Sequence, residues 1–96
     1  MLIRMEYATG TGIKVLPFSA TTNASGNVTS FTGLTNDKTK IQIIGSAMET
    51  PQNCASFPYT LNSDNTWRLK VMQVSNNTLV PLVSTACTGS LYYIDI

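Results

Sequence analysis

The chain reads as an all-β domain, a small antiparallel β-sandwich of about seven or eight strands, with a barrel as the alternative, and three observations predict it. Apolar residues alternate with polar ones over short runs, and no run carries a helical stripe of useful length. Clusters of Gly, Pro, Asn, Asp and Ser break the chain at roughly 8–12-residue spacing, the pattern of a sandwich or barrel. Ser, Thr and Asn supply 31 of the 96 residues, and threonine suits a pleated surface as asparagine and serine suit turns.

In chain order, Ile3, Met5 and Tyr7 alternate with Leu2, Arg4 and Glu6, a half-buried strand, before Thr9-Gly10-Thr11-Gly12 turns the chain. Ile13 to Ser19 predicts a second strand. Pro17 has no N–H for a ladder and places that strand at an edge or bulge. Thr21 to Asn27 is a polar loop tipped by Ser25-Gly26, Val28 to Thr32 a short strand, and Gly33 to Lys38 a turn-rich connection. Thr39 to Ala47, with Ile41, Ile43 and Ile44, is a strong strand in which Gly45 is a candidate bulge. From Met48 to Pro58 alternation fails, and two prolines around Cys54 predict an irregular loop. Tyr59-Thr60-Leu61 re-enters a sheet, and Asn62 to Asn65 turns. Trp67, Leu69 and Val71 then share one face while Arg68, Lys70 and Met72 share the other, one dry and one wet. Asn76-Asn77 makes a tight hairpin, since asparagine tolerates positive φ. Leu79 to Thr85 and Leu91 to Ile96 are the last two strands.

Composition bounds the function. A chain of 96 residues with 43% hydrophobic content fits one β-domain, residues 1–96, burying roughly 60–70% of its unfolded surface. Charged residues are only 11% and the net charge is +1, far below the ~25% charge of ordinary soluble domains, and low charge favours self-association. Basic residues are scattered and offset by Glu6, Asp37, Glu49, Asp64 and Asp95. No strong field exists for nucleic acid or an anionic membrane. No segment approaches the ~20 apolar residues of a membrane helix. The first residues, Met1 to Glu6, lack the basic, apolar and small-residue regions of a secretory signal, so the expectation is either synthesis in the cytoplasm or a signal removed before this numbering begins.

Catalysis has little to work with. There is no histidine, so a cysteine or serine nucleophile lacks its usual base, and neither a Gly-x-Ser-x-Gly elbow nor a Ser-x-x-Lys spacing occurs. Two cysteines without histidine do not make a zinc site, and Gly10 and Gly12 lack the third glycine of a phosphate cradle. The expectation is no enzyme, no cofactor and no metal. Asp64 reads as a turn residue and Asp95 as a solvent-facing strand position.

Cys54 and Cys87 have two readings of equal weight. As a disulfide they close a loop worth about 3–4 kcal/mol on the chain-entropy model, which suits an extracellular or virion-exposed protein. As thiols they are separate buried residues, since sequence does not fix their Cα separation. Of the adjacent Tyr92 and Tyr93, one points outward if the other points in. With Ile94 and Ile96 they form the candidate interface, either completing the fold within the chain or pairing across a subunit boundary. On the second reading, Ile94→Asp abolishes assembly or folding. The rival surface is a glycan or protein site using Trp67, Tyr59, Phe57 and the loops Thr21 to Asn27 and Met48 to Pro58, although a lone tryptophan more often anchors a core.

The order Cys54, Trp67, Cys87, with thirteen positions from Cys54 to Trp67, is similar to the immunoglobulin arrangement, in which tryptophan packs on an inter-sheet disulfide. The chain departs from it where Cys87 follows sooner and where Thr85 replaces the tyrosine of the tyrosine corner. Tyr59 to Leu69 resembles the turn-then-strand segment of immunoglobulin-like β-sandwich modules in bacterial adhesins and phage structural proteins. In composition and architecture the chain resembles small bacteriophage virion accessory proteins. These resemblances imply a structural subunit of a head decoration, collar or tail, located in the virion, whose partners are its own copies or other virion proteins. The alternative they leave is a monomeric carbohydrate- or protein-binding module of an extracellular surface.

Overall fold

The computed structural model describes residues 12–96, and the expected strand around Ile3, Met5 and Tyr7 lies outside them. Seven strands follow in order: β1 (Lys14–Thr21), β2 (Asn27–Val28), β3 (Ile41–Thr50), β4 (Cys54–Leu61), β5 (Thr66–Ser75), β6 (Thr78–Pro81) and β7 (Ala86–Asp95). They form two antiparallel sheets, β1-β7-β3 and β2-β5-β4, with β6 also paired to β5. The sheets stay separate, so the architecture is a sandwich and the barrel is not realised.

Period-two patterning explains β5 directly. Trp67, Leu69 and Val71 are buried while Arg68, Lys70 and Met72 lie on the opposite face. β4 lines one side of β5 from Thr66 to Gln73, and β2 and β6 share the other side. Among the described residues the strand prolines, Pro17 in β1, Pro58 in β4 and Pro81 in β6, all lie on strands paired on one side only. The missing N–H is tolerated there and would break a central ladder.

β3 carries the expected bulge. Ile43 pairs with Tyr93, then Gly45 with Tyr92, so Ile44 is the extra residue and is 47% exposed. One inserted residue exchanges the faces of everything after it. Ser46 and Met48 therefore share a face with Leu91 and Gly89.

The inner faces meet over Phe18, Val28, Phe31, Ile41, Ile43, Trp67, Leu69, Val71, Leu82, Cys87 and Leu91. Trp67 belongs to this core, and its indole N–H donates to the Ile41 carbonyl at 3.1 Å, satisfying the ring's one polar atom. Phe18 and Phe31 meet edge to face with centroids 6.5 Å apart. The sandwich is closed at one side by Thr22, whose N–H donates to the Thr85 carbonyl at 3.0 Å while its Oγ1 accepts from the Thr85 N–H at 3.0 Å. At the opposite corner β3 and β4 approach until the hydroxyls of Ser46 and Ser56 are 2.6 Å apart.

Several expectations are corrected. Met48 to Pro58 is not a loop: β3 runs on to Thr50, β4 starts at Cys54, and residues 51–53 are the whole connection, entered through a cis Thr50-Pro51 peptide. The segment after Gly26 is a two-residue strand followed by an isolated Phe31–Leu34 bridge. The strand expected from Leu79 to Thr85 stops at Pro81, and the last strand begins at Ala86 rather than Leu91. The Asn76-Asn77 turn is present, with φ of 52° and 63°.

Candidate functional site

Two regions of the surface merit a chemical reading. The first is an open polar hollow of about 370 Å³ lined by Asn36, Asp37, Thr39, Asp64, Asn65 and Thr66. It is built from two similar turns. Asp37 Oδ1 accepts from the N–H and hydroxyl of Thr39 at 2.8 and 2.6 Å, and Asp64 Oδ1 accepts from those of Thr66 at 3.3 and 2.7 Å. An isolated antiparallel bridge joins Asp37 to Thr66, and the Trp67 N–H donates to the Asn36 carbonyl at 2.7 Å.

The hydroxyl of Thr39 holds the Asp37 carboxyl below its usual range, and the hydroxyl of Thr66, helped by Arg68, does the same for Asp64. Each uses Oδ1 as the acceptor of its own turn, Asp64 Oδ2 also accepts from Arg68 at 3.0 Å, and neither is poised to donate a proton near neutrality. Since both folded-state values lie below the unfolded ones, their stabilising contribution is complete above the ordinary carboxylate range and is lost as pH falls through it. The double variant Asp37→Asn, Asp64→Asn is therefore expected to lose less stability than the parent between about pH 5 and pH 3. Urea midpoints at the two pH values check this, and equal losses would refute it.

The second region is the outer face of β1-β7-β3. Its paired positions are Val15, Pro17 and Ser19 on β1, Thr88, Ser90, Tyr92 and Ile94 on β7, and Gln42, Gly45, Ala47 and Thr50 on β3. None of these paired positions carries a charge, and the exposed Glu49 stands unpaired at a second irregularity of β3, between Met48 and Thr50. Val15 is 55% exposed, Ala47 is exposed, and Tyr92 and Ile94 are half-buried. The face is small-residued along its middle and apolar at the Val15, Tyr92 and Ile94 end.

The sequence-derived interface residues are thereby separated. Tyr92 and Ile94 point outward, whereas Tyr93 pairs beside Ile43 and packs on the core. Ile96 lies past the strand, 74% exposed, its N–H donating to the Lys40 carbonyl at 2.9 Å. β7 is the middle strand of its sheet, so its backbone is occupied on both sides, and contact with another molecule runs through side chains rather than strand addition. Lys14 and Asp95 form an ion pair at the margin of this face.

The glycan candidates sit elsewhere. Phe57 and Tyr59 lie on the outer face of the other sheet, opposite Lys70 and Arg68, and the Tyr59 hydroxyl donates to Asn27 Oδ1 at 3.0 Å across β5. Asn27, in the second of three Asn-x-Ser/Thr sequons beginning at Asn23, Asn27 and Asn76, is 8% exposed and closed to modification in the folded chain. Among the described residues no group of three or more His, Cys, Asp or Glu side chains gathers to hold a metal, and no helix is long and apolar enough to cross a membrane. Compared with protein-family models, curated proteins and solved structures, the chain matches none.

Proposed function

We propose that the chain is a non-enzymatic assembly protein that works through subunit interfaces, as an accessory component of a bacteriophage virion such as a head decoration, collar or tail protein. The observation that supports this reading most is the absence of charge from the paired outward positions of β1-β7-β3. Exposed sheet faces of proteins that stay apart are ordinarily sprinkled with charge, which makes wrong association costly. Here the face offers Val15, Tyr92 and Ile94 beside a strip of Gly45, Ala47 and Ser90 that lets another surface come close. With a net charge of +1, a second copy meets little repulsion on approach. Partner recognition by this face is burial of apolar side chains, with the threonine and serine hydroxyls at the rim.

Light scattering from micromolar to millimolar protein is expected to give a whole multiple greater than one of the 10.4 kDa chain mass. Val15→Lys with Ala47→Lys, both exposed and on the two flanking strands, is expected to return the mass to that of one chain without changing the circular dichroism spectrum. Ile94→Asp reports on the same face, but Ile94 is half-buried and its effect on folding must be read alongside. A single-chain mass for the parent at every concentration would remove self-assembly as the mode of action. It would favour the second reading, a carbohydrate- or protein-binding module, for which the 46% exposed ring of Phe57 beside Tyr59 is the supporting observation.

A further inference from the structure

We propose that Cys54 and Cys87 form a reversible disulfide that clasps the two sheets together at the β3–β4 corner. Both are thiols in this structure, Cys54 half-buried and Cys87 buried. They come from opposite sheets and turn to the same interior. Cys54 opens β4 and shares a face with Ser56, which pairs with the buried Val71. Cys87 pairs with Ala20 on the core side of β7, and Cys54 packs against the cluster to which Cys87 belongs.

Their separation follows from the chain path. Thr50 ends β3 paired with Thr88, the neighbour of Cys87. Only residues 51–53 separate Thr50 from Cys54, so β4 starts within a short connection of the strand end that lies beside Cys87. Packed sheets ordinarily stand about 10 Å apart, too far for a disulfide's Cα separation of roughly 4.4–6.8 Å. This corner is tighter. Ser46 and Ser56 bring hydroxyls to 2.6 Å across it, and a cysteine side chain has the same number of atoms as a serine one. Gly89, between Cys87 and Leu91 on the inward face of β7, adds no side chain to the gap. Burial raises both thiols, and the charge of an ionised Cys54 raises Cys87 further, as expected of two sulfurs within electrostatic reach.

The chemistry is thiol–disulfide exchange with a small-molecule disulfide. The more accessible Cys54 thiolate attacks one sulfur of oxidised glutathione, expelling one glutathione thiolate and leaving a mixed disulfide on Cys54. The Cys87 thiolate then attacks the Cys54 sulfur and expels the second. The protein loses two protons and two electrons, and one glutathione disulfide becomes two glutathione thiols.

The test is native full-length protein incubated with oxidised glutathione and followed by intact mass and peptide mapping. The expected product is lighter by two hydrogen atoms, carries no glutathione, links Cys54 to Cys87 within one chain and reverts with dithiothreitol. Its thermal midpoint is expected to rise by about 10 °C or more, because the cross-link closes the whole segment from β4 to β7. Cys87→Ala is expected to stop at the glutathione adduct on Cys54. A parent protein that retains both thiols, accumulates the adduct, or links two chains would overturn the proposal, and the parent's result decides it even if Cys87→Ala folds poorly.

Discussion

Gly89→Ala is expected to lower stability by about 3 kcal/mol or more, although the change adds a single methyl group. Gly89 lies mid-strand in β7, flanked by Phe18 of β1 and paired with Met48 of β3. A Cβ there would fall 2.3 Å from the Ala47 carbonyl oxygen and 3.0 Å from two carbons of the Phe18 ring. The carbonyl belongs to the neighbouring strand and cannot rotate away, so β3 and β7 must separate locally. Moving Phe18 instead disturbs its edge-to-face contact with Phe31. For a domain of this size the thermal midpoint should fall by about 12 °C or more. A midpoint within a degree or two of the parent would mean that the sheet gives way far more easily than this packing allows.

Leu69→Ala is expected to cost about 3–5 kcal/mol, a large share of the 5–15 kcal/mol that holds a small domain together. Leu69 is 0% exposed, central in β5, with Pro58 and Val28 paired to either side. Its removal leaves a cavity between rigid strands with no route for collapse, which places it toward the upper end of the range. Leu79→Ala makes the matched control, since Leu79 is 50% exposed on β6 and should cost less than about 0.5 kcal/mol. Urea unfolding of the two variants checks burial against mere hydrophobicity. Similar costs would mean that the β5–β6 hairpin is covered in solution.

These positions also mark how far the sequence could be read. β5 was legible because large apolar and charged residues alternate strictly from Trp67 to Val71, and the bulge was legible because Gly45 follows three closely spaced isoleucines. β4 was not. Its inward residues are Cys54, Ser56, Pro58 and Thr60, small or polar because the corner with β3 is tight, so the pleat leaves no hydrophobic signature. The start of β7 was hidden for a related reason, since Thr88-Gly89-Ser90 reads as a turn unless the Phe18 ring above Gly89 is known. The outward position of one of Tyr92 and Tyr93 followed from alternation, but which one required the pairing with Ile43. The polar hollow escaped notice because Asp37 and Asp64 each look like ordinary turn residues, and only the Asp37–Thr66 bridge brings them together.

The placement of β7 between β1 and β3 sets an order of events during synthesis. Among the described residues β1 and β3 are not hydrogen-bonded to each other, and each finds its only sheet partner in residues 86–95. Until that segment has left the ribosome, Val15, Phe18, Ile41 and Ile43 belong to strands with no template among the described residues, whereas β4 and β5 can already pair as a local hairpin. The nascent chain thus acquires one sheet early and the other only when a distant strand arrives, a topology that folds slowly and exposes its stickiest edges longest. The emergence of residues 86–95 is the step at which this protein would gain most from a chaperone.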